Sequence, residues 1–92
     1  MNAYRQGDVS ITTIDQLPKN INPVEGEAIL AVGEITGHAH RIIEGKVLLY
    51  SLGALLYLRV LSEFAKLYHE EHEDVIVPRG DYEIRRRKSG TG

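Results

Sequence analysis

Turn-forming residues cut this chain into short extended runs, and no such run is followed by the helical crossover that a parallel sheet needs. From Gly7 to Ile14, Val9 and Ile11 alternate with small polar residues that favour extended backbone, so a first strand is expected there. Asp15 to Glu27 contains Pro18, Pro23, Asn20, Asn22 and Gly26 and reads as a surface connection. Ala28 to Thr36 is a second extended run, which Gly37 breaks and His38 to Glu44 continues. Gly45-Lys46 looks like a tight reversal that would make a hairpin with Val47 to Ser51.

Leu52 to His72 admits two readings. Leu55, Leu58, Leu61 and Ala65 fit a helical stripe, whereas Leu56, Leu58 and Val60 alternate as a strand would. The aromatic and branched run Leu-Leu-Tyr-Leu-Arg-Val, with no N-cap before it, favours two strands flanking Ser62-Glu63. Asp74 to Val77 alternates again, Pro78-Arg79-Gly80-Asp81 supplies turn chemistry, and Tyr82 to Arg87 reads as the closing strand. The expected fold is mainly β: a single-domain barrel or sandwich of six to eight short strands over residues 1–88, with 89–92 as a flexible tail.

Composition narrows the chemistry. Ninety-two residues, 42% hydrophobic and 26% charged, suit one globular domain, which at this size buries ~60–65% of its unfolded surface. The absence of cysteine excludes disulfides, thiolate nucleophiles and sulfur-rich metal sites, leaving mainly nitrogen and oxygen donors. No stretch approaches the ~20 apolar residues of a membrane span, and Met1 to Gln6 has no apolar segment behind a positive region. A cytoplasmic location without a membrane partner is therefore expected. A net charge of -2 argues against wholesale electrostatic binding of nucleic acid. The charges are nonetheless uneven, with Glu70, Glu71, Glu73 and Asp74 forming an acidic cluster and Arg79, Arg85, Arg86, Arg87 and Lys88 lying toward the carboxyl terminus.

The four histidines fall into two close pairs. His38 and His40, two apart on an extended run, would send both rings to one face with Cα atoms ~6.5 Å apart, a spacing that allows two ligands on one metal. Glu44 would project to that face on a regular strand and could add an oxygen ligand or orient a histidine. His69 and His72 bracket Glu70-Glu71, and a separation of three does not put two side chains on one face of a flat strand. If that segment is a strand, His69 and Glu71 share a face and, with His38 and His40, give three nitrogens and one oxygen. If it is a helix or a turn, all four imidazoles could bind. The plainer alternative is that the first pair makes ordinary hydrogen bonds in a hairpin while the second sits in a solvated acidic turn.

Two catalytic motifs are excluded by spacing. The zinc peptidase motif His-Glu-x-x-His needs three residues between its histidines, and here two intervene. None of Ser10, Ser51, Ser62 and Ser89 lies in a Gly-x-Ser-x-Gly elbow.

Gly37, His38, His40 and Glu44 resemble the first motif of the cupin superfamily, a glycine followed by His-x-His and then Glu on adjoining strands of a small β barrel. Pro78-Arg79-Gly80 resembles the second motif, with Glu83 in the place of its histidine. That resemblance implies a cupin-like, metal-bearing barrel. The segments Arg5-Gln6-Gly7-Asp8-Val9, Thr36-Gly37-His38-Ala39-His40-Arg41, His69-Glu70-Glu71-His72 and Pro78 to Arg86 also resemble a family of small uncharacterised microbial proteins, which implies only that these segments belong together.

The leading functional expectation is one divalent transition metal, zinc first and iron, manganese or nickel as alternatives, held by His38, His40, His69 and His72. Glu44 or Glu71 would be a fifth ligand or general base, and the substrate, if there is one, is an unidentified small molecule. Three protein ligands with an open position would favour catalysis and four a structural role. The competing expectation is a nucleic-acid or protein-binding module using Arg85, Arg86, Arg87 and Lys88, against a solubilising strand that pairs with the acidic turn. A third is a homodimer, because a short β domain with open edges can cover them by symmetric pairing.

Overall fold

A computed structural model describes residues 2–32 and 37–86. These residues form eight strands and no helix: β1 (Ala3–Gln6), β2 (Val9–Thr13), β3 (Asn22–Pro23), β4 (Ile29–Val32), β5 (Ala39–Glu44), β6 (Val47–Leu52), β7 (Leu55–His69) and β8 (His72–Arg86). All pairings are antiparallel, in the order β1-β2-β8-β7-β5-β4, with β6 joining β7 and β3 joining β6. The sheet curls into a half-barrel. Among the described residues no helix is long and apolar enough to cross a membrane.

The spine is the hairpin of β7 and β8, fifteen residues each. β6 lies along the first half of the outer edge of β7, where Val47 opposes Val60, and β5 lies along the second half, where Arg41 opposes Tyr68. The hairpin expected at Gly45-Lys46 is therefore not formed, because β5 and β6 run end to end past the same strand. Gly45 marks the join between them. A Cβ there would stand 2.5 Å from the Phe64 carbonyl oxygen and 2.9 Å from the Cα of Ala65, so only glycine lets the chain pass this close to β7. The Lys46 N–H donates to Ser62 Oγ at 2.9 Å, and the Ser62 hydroxyl donates to the Phe64 carbonyl at 2.7 Å.

Opposite that join, β7 does not break into two strands at Ser62-Glu63 but bulges. Its register against β8 jumps between Val60 and Phe64, so Leu61, Ser62 and Glu63 face only Arg79. The bulge reverses the phase of burial: Leu58 and Val60 point inward before it, and Ala65, Leu67 and His69 after it. Pro78-Arg79-Gly80-Asp81, read as a turn, is likewise a bend inside β8, with Val77 buried before it and Tyr82 and Ile84 after it. The Tyr82 hydroxyl spans the bend by donating to the Pro78 carbonyl at 2.6 Å.

The first strand also differs from expectation. Gly7 and Asp8 are not its start but the two-residue turn between β1 and β2, with Gln6 opposite Val9. Of the run from Ala28 to Thr36, Ile29–Val32 is strand and 33–36 lie outside the described residues, as does the tail 89–92. Val9, Ile11, Leu58, Val60, Leu67 and Val77 are at most 1% exposed and form the middle of the core, together with Tyr82 and Ile84. Burying such a side chain is worth ~1.5–3 kcal/mol.

Candidate functional site

Three separate stretches meet at one end of the half-barrel: the β1–β2 turn, the start of β5 and the tip of the β7–β8 hairpin. At the tip, Glu70-Glu71 is a two-residue turn and His69 lies directly opposite His72. That pairing removes the difficulty posed by a spacing of three, since residues flanking a two-residue turn are cross-strand neighbours and share a face. The phase reversal in β7 is what turns His69 inward, where it is 8% exposed.

All four imidazoles are brought together. The His40 and His69 ring centroids are 4.2 Å apart, His69 and His72 4.7 Å, and His40 and His72 5.9 Å with their planes within 16° of parallel. His38 meets His69 edge-on at 5.9 Å. His40 is buried at 4% exposure and His72 lies exposed at the rim.

The hydrogen bonds assign roles to the ring nitrogens. Gln6, 2% exposed, donates both amide hydrogens, to the Leu67 carbonyl at 2.9 Å and the Glu73 carbonyl at 2.8 Å. Its Oε1 therefore accepts, and the His40 Nδ1 facing it at 2.9 Å carries a proton. The other nitrogen of that ring, Nε2, faces Asp8 Oδ1 at 3.3 Å. His38 Nδ1 likewise donates to Glu71 Oε1 at 3.1 Å. His69 is arranged the other way, because its Nδ1 accepts the Glu71 N–H at 3.0 Å and the proton of the neutral ring is on Nε2. Glu70 Oε1 accepts the Ala39 N–H at 3.2 Å and so fastens the start of β5 to the hairpin tip.

Burial, reinforced by His69 and His72, lowers the His40 pKa below the usual imidazole value, although Asp8 opposes the shift. For Asp8, burial alone would raise the pKa, but Arg86, whose Nε lies 3.1 Å from Oδ2, and a backbone N–H together hold it below the usual carboxylate value. His72 lies against Gly7, with its Nε2 2.5 Å from where a Cβ would be. Among the described residues no group of three or more His, Asp and Glu side chains stands already arranged around a metal position.

The remaining expected residues lie elsewhere or do other work. Glu44 is exposed and pairs with Lys66 at 3.2 Å, beyond a register shift that follows Ile42. Glu71 is engaged with His38. Arg85 pairs with Glu83, and Arg86 pairs with Asp8. Arg85 and Arg86 line a groove of about 510 Å³ with Arg5, Leu55 and Ile84, whereas Arg87 and Lys88 lie outside the described residues. Gln6, Gly7 and Asp8 are the functional candidates that motif reading passed over. Their one signal was membership of the Arg-Gln-Gly-Asp-Val segment.

Residues 5–87 match a family described as a domain of unknown function, DUF8820. No curated protein and no solved structure matches the chain.

Proposed function

Because the chain belongs to DUF8820, whose description names no chemistry, we propose from the geometry alone that this end of the half-barrel binds one divalent transition metal ion. The observation that carries the reading is the meeting of every imidazole in the chain, from segments some thirty residues apart, within 4.2 to 5.9 Å of a neighbouring ring. Neutral imidazole is the commonest nitrogen ligand for such ions, and the site has no thiolate to compete with it. Two of the rings, His38 and His40, donate through Nδ1 to an oxygen, the outer arrangement that fixes a metal-binding histidine with Nε2 turned to the ion. Zinc suits this nitrogen and oxygen set first, and iron, manganese or nickel next.

The test is metal analysis of protein produced without a histidine tag in metal-replete medium. About one ion per chain is expected. Metal-free protein from that preparation, with no uptake on later addition of zinc, cobalt or nickel, removes the reading.

A further inference from the structure

We infer that the ion sits between His40 Nε2 and Asp8 Oδ1, so that Asp8 is a ligand, Gln6 is a positioning residue for His40, and His69 is not a ligand. The inference deepens the metal-binding reading and rests on it. It follows from counting protons. Gln6 uses both N–H groups on carbonyls, so its oxygen holds the His40 proton on Nδ1. In the neutral ring Nε2 is then a lone pair, 3.3 Å from a carboxylate oxygen that is itself only an acceptor.

An acceptor pair that close together is bridged by a cation, either a second proton on Nε2 or a metal ion in its place. The distance is that of two ligands on one ion: nitrogen and oxygen bound to tetrahedral zinc at ~2.0–2.2 Å stand ~3.3–3.5 Å apart. Asp8 is held for this role by Arg86, which takes the other carboxylate oxygen at 3.1 Å and leaves Oδ1 to face His40. His72 lies at the rim, its ring 5.9 Å from that of His40 and resting on Gly7. His69 is different. Its Nδ1 lone pair is taken up by the Glu71 N–H, so Nε2 of the neutral ring carries the hydrogen and has no lone pair for an ion.

His40 and His69, alike as ligands in the sequence, thus take different roles. Zinc titration by calorimetry, on tag-free full-length protein, compares Asp8→Asn, His40→Gln, His69→Gln and Gln6→Leu with the unmodified chain. Asp8→Asn and His40→Gln should weaken zinc by more than about 100-fold, Gln6→Leu by about 10–100-fold, and His69→Gln by less than about tenfold. Gln6 is buried and its variant could unfold, so the unmodified protein carries a second readout, long-range proton–nitrogen NMR of the imidazoles. On adding zinc, His40 Nε2 should move to a metal-bound shift while its Nδ1 keeps a proton, and His69 Nε2 should stay protonated. A chain that takes up no zinc overturns the metal reading and this inference together. Uptake that Asp8→Asn leaves unchanged, or that His69→Gln abolishes as fully as His40→Gln, overturns the inference alone, as does an unshifted His40 Nε2.

Discussion

Gly7 serves two physical purposes at one position. Its φ of +57° is where an L side chain pays ~1–2 kcal/mol, and its missing Cβ is the space against which the His72 ring rests. A Gly7→Ala change should therefore lower stability through the backbone and also push His72 aside, since the clashing atom is the far end of an exposed side chain. A double-mutant cycle with His72→Ala separates the two. The backbone cost should persist when His72 is absent, while the part due to the ring should vanish, so Gly7→Ala should be milder in the His72→Ala background. An equal cost in both backgrounds, measured by denaturant unfolding, would mean that His72 does not pack on Gly7.

At the scale of elements, the molecule is shaped by three irregularities placed side by side: the join at Gly45, the bulge at Ser62-Glu63 and the bend at Pro78 to Gly80. Each was legible as an interruption and each was misassigned as a turn or strand break. Gly45-Lys46 has hairpin composition, but glycine is there for close approach to Phe64, and Pro78-Arg79-Gly80-Asp81 has turn composition inside a continuous strand. The mixed periodicity of Leu55 to Ala65 has the same source, since a bulge that swaps the buried phase from even to odd residues imitates neither a clean strand nor a clean helix. Tyr82 holds the bend in β8, and burial, helped by the nearby Tyr4 and Asp81, raises its pKa above the ordinary 10.0. Tyr82→Phe should cost ~0.5–1.5 kcal/mol for the lost hydrogen bond, and each kcal/mol lowers Tm by ~4–8 °C in a domain of this size. A folded-state pKa above the unfolded one means the phenol's contribution is complete below pH 10 and is lost as pH rises through the folded value. The stability gap between the unmodified chain and Tyr82→Phe should thus hold constant below pH 10 and narrow as pH rises above it. A gap that stays constant or widens there would contradict this account.

For the whole molecule, the candidate site works as a clasp. Gln6 ties the β1–β2 turn to the carbonyls of Leu67 and Glu73, and His40 ties the start of β5 to the same amide, so residues 6–8, 38–40 and 69–73 meet only when the sheet has curled. Half of this clasp was legible in the sequence: four histidines in two pairs announce themselves, and the rings do meet. A buried glutamine and one aspartate near the amino terminus do not, because nothing in a glutamine's neighbours says that its amide will be enclosed, and Asp8 gains meaning only from the curl that brings it to His40. A site made from such distant stretches cannot be preformed in the unfolded chain, so an ion bound there stabilises the fold by mass action. Free metal at 100 times its Kd should add ~2.7 kcal/mol, a rise in Tm of ~10–20 °C for a domain this small. Thermal unfolding should remain a single transition, because the clasp joins the β1–β2 hairpin to the β7–β8 spine instead of tightening one loop. His40→Gln should abolish the metal-dependent rise whatever its own effect on the metal-free Tm. Stoichiometric uptake with no change in Tm would place the ion on a segment that binds it equally well unfolded, and the clasp would then not be the site.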